Sequence, residues 1–184
     1  MPDTVIVDHC SPTLAGLKTA NLFSIRFDTM AQMLFEVKEL DRQLRKKGLR
    51  AIALRYLNGL GLVYIYRPAF LERDLAQAEA QAIFRSMGYS KGSACHMLWQ
   101  LMLRLQMTDS FPHEIGLFLG YPPYDVASFI QDPGKGLLIS GTWKAYHNRD
   151  QAEKTFALYK KYTHIYQKVY QKGRTLSQLT VAVR

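Results

Sequence analysis

A thiol, an imidazole and a lysine lie close together near the amino terminus, in the stretch VDHCSPTLAGLKTANLF. Ser11 and Pro12 are typical of a helix start, because serine caps free amides and proline at the first position needs no donor. They predict a short helix from Pro12 to Asn21, with Cys10 just before its positive end. A thiolate there would be stabilised by the helix dipole, so Cys10 is a candidate nucleophile. In the alternative interpretation, Cys10 is a small buried hydrophobic residue.

A second dense motif, FPHEIGLFLGYPP, lies about a hundred residues further along. His113 is a candidate general base or metal ligand, and Glu114 is a candidate for orienting or neutralising it. Consecutive helical residues point about 100° apart, so a hydrogen-bonded structural histidine is the alternative. The leading hypothesis joins the two motifs: Cys10 is the nucleophile, His113 the base and Glu114 its orienter, with Lys18 and Lys144 contacting an anionic metabolite.

Two familiar kinds of site are excluded by spacing. Lys18 follows Gly16, but the GxxxxGK[ST] spacing of a phosphate-binding loop is missing, so nucleoside triphosphate binding by that route is rejected. Ser140 precedes Gly141 without a GxSxG elbow, which removes a serine hydrolase. In the same segment Trp143 is a candidate pocket wall, with a core position as the alternative.

Two other classes of function compete with the leading hypothesis. In the first, His9, Cys10 and His113 supply ligands to iron, zinc or haem. In the second, the basic helix FALYKKYTHIYQKVYQKGR binds a nucleic acid or a protein through its aromatic and cationic side chains. An amphipathic helix that packs its tyrosines on the sheet and solvates its lysines explains the same pattern, and we prefer that interpretation.

Composition sets broad bounds on the class of protein. A chain of 184 residues suits a single domain over 1–184, and its apolar and charged fractions are those of a soluble globule. Two cysteines form no disulfide framework, and no apolar run spans a bilayer. The start MPDTVIVDHC lacks a leader pattern, so we expect a cytoplasmic protein with no membrane partner. The charge of +9 favours anionic partners, but charge alone does not define a nucleic-acid site. Cofactor and oligomeric state stay undetermined.

Periodicity in the first half predicts helix, hairpin and helix. Helical spacing of apolar residues runs from Asp28 to Leu44, and Gly48 ends that helix. Asn58-Gly59 between two β-rich runs predicts a two-residue hairpin. Pro68 then opens helical sequence that Gly88 terminates.

The second half is mainly helical. Ser93 to Met107 carries a broad apolar face, Pro112 and the following Pro-Pro pair bracket one short helix, and Tyr124 to Gln131 forms another. GLLISGTWKAY reads as a strand, a long helix runs from Arg149 to Gly173, and TLSQLTVAV is a turn of helix or a strand. The fold class is therefore α+β: a small, mainly antiparallel sheet of the hairpin and at least one further strand, packed with several helices.

Four segments in this order carry a family resemblance: HCSPTLAGLKTANLF, FPHEIGLFLGYPPYDV, GTWKAYHNRDQAEKTFALYKKYT and LTVA. The chain resembles the domain-of-unknown-function 3793 family of bacterial proteins, and the similarity spans nearly its whole length. The resemblance implies a bacterial cytoplasmic protein and supplies no activity. The matching motif positions add four residues to the candidate ligand-binding set: His9, Thr13, Trp143 and Tyr146. Relatives often carry cysteine where this chain has Ser140, which speaks against a two-thiol mechanism here.

Overall fold

The computed structural model describes residues 1–107 and 111–182. Contacts divide the chain into two compact units, unit 1 with Met1–Pro68 and Tyr159–Arg184, and unit 2 with Ala69–Leu158. Each unit has its own set of buried apolar side chains. The expectation of one domain over 1–184 stays a prediction.

Unit 1 contains a three-stranded antiparallel sheet. Its strands are β1 (Ala20–Arg26), β2 (Arg50–Leu57) and β3 (Leu60–Tyr66), in the order β1-β3-β2. The predicted hairpin is confirmed: Asn58 and Gly59 join β2 to β3 with φ of 50° and 78°. Both values lie in the left-handed region that asparagine and glycine tolerate best, so this dipeptide fixes the register of the pair.

The amino-terminal helix differs from its prediction. Helix α1 spans Asp3–Leu14, and residues from Ala20 onward form β1, so the predicted helix from Pro12 to Asn21 is wrong. Pro12 lies in the last turns of α1 rather than at its start. The later residues pair with β3, beginning with Ala20 opposite Tyr66. Pairing with a strand more than thirty residues away decides the conformation of this segment, and local helix-start signals cannot report it.

The other elements of unit 1 follow their sequence patterns. Helix α2 spans Met30–Arg45 as predicted, with the Thr29 hydroxyl accepting from the Gln32 N–H at 3.1 Å. The final element, α9 (Leu176–Leu179), begins at a capping box formed by Thr175 and Gln178. The apolar faces of α1, α2 and α9 and the strands enclose one buried cluster.

Unit 2 is mainly helical. Its helices are α3 (Pro68–Leu75), α4 (Ala78–Ser86), α5 (Ala94–Met107), α6 (Ile115–Phe118), α7 (Pro123–Gln131) and the start of α8 (Arg149–Gln171). The single helix expected after Pro68 is two helices, since Gln77 adopts an extended backbone with ψ of 139°. The Gln81 side chain donates to the Leu75 carbonyl at 2.7 Å and so caps α3.

A miniature hairpin replaces the strand expected over GLLISGTWKAY. Strands β4 (Ile139–Ser140) and β5 (Lys144–Ala145) pair antiparallel around residues 141–143. Trp143 is the last residue of this turn and Lys144 is the first residue of β5. The α+β class with a small antiparallel sheet is confirmed. Within the described ranges, no helix has the length and apolar character needed to cross a bilayer.

Candidate functional site

Cys10 lies in the interior of α1 and in the apolar core of unit 1. Its side chain has no exposed surface. Burial raises the pKa of the Cys10 thiol, and the nearby Lys18 acts in the opposite direction. The helix-start argument for a thiolate is therefore wrong, because Cys10 lies within the helix and away from free amides.

Lys18 is also buried, at 4 % exposure. Burial lowers the pKa of its ammonium to about 8, while Cys10 acts in the opposite direction. The other two candidates of this segment make structural contacts. The Thr13 hydroxyl donates to Asn21 Oδ1 at 2.6 Å, and the exposed His9 ring stacks on Phe23 with centroids 5.5 Å apart.

The sequence analysis missed Arg67, which is buried beside this segment. Its guanidinium donates to the carbonyls of Thr13 at 2.8 Å, Leu14 at 2.9 Å and Val181 at 2.8 Å. Burial lowers the pKa of Arg67 from its ordinary value. The arginine thereby joins the end of α1 to the carboxyl-terminal segment, and it satisfies carbonyls that a helix end leaves open.

Glu114 and His113 do not pair with each other among the described residues. Glu114 is 1 % exposed, accepts from the Tyr89 hydroxyl at 3.0 Å and lies 3.6 Å from Arg104 Nη1. Burial and the Glu114 carboxylate raise the pKa of Tyr89. His113 is exposed instead, with its ring edge-on to Phe129 at a centroid distance of 4.9 Å. The two neighbours therefore face different surroundings, as consecutive residues in a helical turn do.

A pocket of about 330 Å³ in unit 2 brings two of the sequence motifs together. His113, Gly116 and Tyr121 come from the first motif, and Trp143 and Lys144 come from the β4–β5 hairpin. Three of the predicted site residues, His113, Trp143 and Lys144, thus line one cavity. Concave sites with apolar walls and a few polar groups are the usual form of small-molecule sites.

Aromatic rings form the walls of this pocket. Trp143 stacks on Tyr121 with centroids 5.3 Å apart and meets Phe156 edge-on at 4.6 Å. A Cβ on Gly116 would lie 2.8 Å from Val126 Cγ2, so only glycine permits this approach of α6 to α7. The wall is built closely enough to hold Trp143 in a fixed orientation.

Asp125 fixes the hairpin from the first turn of α7. It is 5 % exposed, and its Oδ2 accepts from Trp143 Nε1 at 2.8 Å. Its Oδ1 accepts from the Tyr146 amide at 2.8 Å and the His147 amide at 3.2 Å, and His147 Nδ1 lies 3.2 Å away. The predicted contact Tyr146 therefore supports the site through its backbone, while its hydroxyl donates to Pro133 O at 2.9 Å.

Sequence reasoning missed Asp125, Tyr121 and Phe129. Asp125 and Tyr121 stand in the quoted motif FPHEIGLFLGYPPYDV. An acidic residue in the first turn of a helix is favourable for structural reasons alone, so the position of Asp125 does not mark it as part of a site. The signal that marks its role is the tertiary contact with Trp143, which no local pattern contains.

Lys144 supplies the pocket's positive charge. Its ammonium lies 5.3 Å from the centre of the Phe129 ring, and its side chain is exposed. No ion pair of Lys144 occurs among residues 1–107 and 111–182. Asp125 also lines the pocket, but N–H donors occupy both of its oxygens. These N–H donors leave Asp125 its negative charge but occupy its acceptor sites, so among the described lining residues Lys144 is the charged group whose donors are open to a ligand.

Cys10 and His113 belong to different units, so their catalytic pairing stays a prediction. The burial of Cys10 removes the thiolate argument that motivated it. Across the described part of the chain, no three His, Cys, Asp or Glu side chains gather in a way that could hold a metal ion. The His9, Cys10 and His113 metal set thus gains no geometric support from the described residues.

Comparison with known proteins identified a matching family model. The model described as "Protein of unknown function (DUF3793)" matches residues 6–180, nearly the whole chain. No curated protein and no solved structure matches. The match covers both motifs that line the unit 2 pocket.

Proposed function

Because the chain belongs to the DUF3793 family of proteins of unknown function, we propose its function from its geometry: it binds a small anion that carries an aromatic ring. The ligand would lie in the unit 2 pocket, with its ring against Trp143 and its negative charge near Lys144. The observation that carries the proposal is the meeting of aromatic walls and one exposed ammonium, without an ion pair among the described residues, around a cavity of about 330 Å³.

The walls favour a flat ring. Trp143, Tyr121 and Phe129 offer large apolar faces, and aromatic pairs stack or meet edge-on at 4.5–7 Å between centroids, worth about 0.5–1.5 kcal/mol beyond burial. The Trp143 indole is held in place by Asp125 before any ligand arrives. A preorganised wall reduces the entropy lost on binding.

The charge favours an anion. Lys144 has three ammonium donors and lies at the cavity edge, where a carboxylate or phosphate keeps some contact with water. The exposed His113 ring offers a further nitrogen at the same cavity. A cationic ligand would meet Lys144 without gaining a free carboxylate, since Asp125 is already satisfied.

Calorimetric titration of the full chain tests the proposal with ring-bearing anions and uncharged counterparts. Phenyl phosphate, benzoate and indole-3-acetate serve as anions, and benzyl alcohol and tryptophol as neutral controls. We expect at least one anion to bind with a dissociation constant at or below about 1 mM and its neutral counterpart to bind more weakly. Lys144→Gln should reduce the anion's affinity by about 10-fold or more, the value of one charged hydrogen bond.

Lys154→Gln is the matched control, because Lys154 is an exposed lysine of unit 2 outside the pocket. It removes the same charge and should leave affinity unchanged. The proposal fails if no anion binds, if neutral rings bind as well as anions, or if Lys154→Gln weakens binding as much as Lys144→Gln.

A further inference from the structure

Positive charge is concentrated in unit 1. Unit 1 contains 16 Lys and Arg against 6 Asp and Glu, whereas unit 2 contains 8 against 9. Unit 1 therefore contributes +10 and unit 2 contributes −1 to the formal charge of +9. Even after the buried Lys18 and Arg67 are set aside, a strongly basic surface remains.

The unit 1 part of α8 carries a regular row of this charge. Lys160, His164, Lys168 and Lys172 recur at every fourth residue from within α8 to just beyond its end, and all four are exposed. At 1.5 Å per residue, the row extends about 18 Å. The last acidic residue of the chain is Glu153, so no carboxylate interrupts the row.

Several acidic side chains of unit 1 already have ion-pair or hydrogen-bond partners. Asp41 pairs with Arg45 at 2.6 Å and with Arg50 at 2.7 Å, and Glu39 pairs with Arg42 at 2.9 Å. Asp8 accepts from the Gln167 amide of α8 at 2.7 Å. Within the described ranges, five cations of the carboxyl-terminal segment form no ion pair: Lys160, Lys161, Lys168, Lys172 and Arg174.

The aromatic residues of this helix point into the protein. Tyr166 is 8 % exposed within the core cluster, and Tyr162, Val169 and Tyr170 pack against it. The exposed face offers one large apolar side chain, Ile165. A helix that inserts into a membrane surface needs several apolar residues on its outward face, so the face suits phosphates in water better than lipid.

We propose that the α8 face, defined by Lys160, His164, Lys168 and Lys172, binds the phosphate backbone of a nucleic acid. Tyr162, Tyr166 and Tyr170 pack toward the core and are not part of the row of charges, so the proposed contact is electrostatic and independent of base sequence. This site lies in unit 1 and is independent of the proposed pocket. From the sequence, we preferred a helix whose lysines are simply solvated over a helix that binds nucleic acid. The proposal reverses this preference, because the separation of charge between the units becomes visible only in the fold.

Fluorescence anisotropy of the full chain with a labelled 20-base-pair DNA duplex and a labelled 20-nucleotide RNA tests this proposal. Three lysine–phosphate contacts predict a slope of log affinity against log salt near −2.7 for the duplex, an affinity loss of about 40-fold between 50 and 200 mM salt. The triple variant Lys160→Gln, Lys168→Gln, Lys172→Gln should reduce the slope's magnitude by about 2 to 3.

The matched control is the triple variant Arg73→Gln, Lys135→Gln, Lys154→Gln, which removes three exposed charges from unit 2. It should keep the wild-type slope. Equal effects of the two triple variants would overturn the proposal, since they would show dependence on net charge alone. Failure to bind either probe at 50 mM salt would also overturn it. So would tighter binding to vesicles of phosphatidylserine than to either nucleic acid.

Discussion

Cys10 and Cys95 are both free thiols, but Cys10 is buried and Cys95 is exposed to solvent. Cys10 is enclosed by the core of unit 1, whereas Cys95 lies exposed in the first turn of α5. A buried thiol with a raised pKa supplies little thiolate, and its surroundings exclude a reagent. The Cys10 interpretation that agrees with its burial is therefore the small hydrophobic residue.

Thiol labelling of the native chain should find one reactive cysteine. With an aromatic disulfide reagent at pH 8, we expect one thiol per chain to react within minutes and the second to react only in denaturant. Cys95→Ser should abolish labelling of the native chain, while Cys10→Ala should leave it intact. Rapid labelling of Cys10 in native Cys95→Ser protein would contradict its burial.

Lys18 makes the free energy of unfolding of unit 1 depend on pH, and the lowered pKa of Lys18 determines the direction of this dependence. The ordinary pKa of 10.5 applies in the unfolded chain, and the folded value is about 8. Between these values the unfolded chain binds the extra proton, so this lysine makes the free energy of unfolding rise with pH. Below pH 8 both states are protonated, and the full cost of burying the charge is present.

Lys18→Met should therefore change stability in a pH-dependent way. The difference in free energy of unfolding, variant minus wild type, should fall by about 2–4 kcal/mol as pH rises from 7.5 to 10.5. Urea denaturation at several pH values measures this difference. Both chains contain Cys10, so the comparison isolates the change at Lys18. Lys38→Met on the exposed face of α2 should show no such trend. A difference for Lys18→Met that stays flat or grows with pH would contradict the burial of a charged group.

At the scale of elements, Asp125 connects α7 to the β4–β5 hairpin. It accepts from the Trp143 indole and from the backbone amides of Tyr146 and His147, which directly follow β5. The pocket wall therefore depends on one buried carboxylate in a different element. Removing such an acceptor costs more than a surface hydrogen bond, because buried donors lose a charged partner.

Asp125→Asn should destabilise unit 2 and loosen Trp143. An asparagine presents an amide where the indole N–H or the backbone N–H groups need an acceptor, so we expect a loss of about 1–3 kcal/mol. In a Trp99→Phe background, Trp143 is the only indole, and its emission should shift to longer wavelength. Asp132→Asn is the control, since exposed Asp132 accepts from Gly134 N at 3.0 Å. Unchanged emission and stability in Asp125→Asn would contradict the connecting role.

Local signals predicted many elements of this fold. The periodicity of α2, the Asn58-Gly59 turn and the long helix α8 were all readable, because each depends on neighbours within a few residues. Strand β1 was missed and α1 misplaced, because pairing with β3 overrides the local helix-start signal. Local sequence patterns thus predict individual helices and turns. Where a segment carries signals for both helix and strand, its pairing with a strand far along the chain determines its conformation.

The candidate site was predictable only in part. The motifs containing His113, Trp143 and Lys144 were identified as chemically able, and the fold brings these three together. Cys10 and Lys18 belong to the core of another unit, where burial accounts for them. A sequence shows which residues are capable of chemistry, but exposure and enclosure are set by tertiary packing.

At the scale of the whole molecule, the two units carry different surface character. Unit 2 is nearly neutral and holds the aromatic pocket, and unit 1 carries the excess positive charge. The family match covers both units, since it spans residues 6–180. A small anionic ligand and an extended polyanion are thus proposed for separate surfaces, and each proposal is tested without the other.

The most direct test of ligand binding follows the two indole N–H signals in a ¹⁵N-labelled full chain. Trp143 donates its N–H to Asp125 at the pocket, whereas exposed Trp99 lies on α5 outside it. Titration with indole-3-acetate, benzoate or phenyl phosphate should shift the Trp143 signal in a saturable way and leave the Trp99 signal in place. A Trp143 signal that stays unmoved by every anion, or that moves equally with benzyl alcohol and tryptophol, would contradict the proposed function.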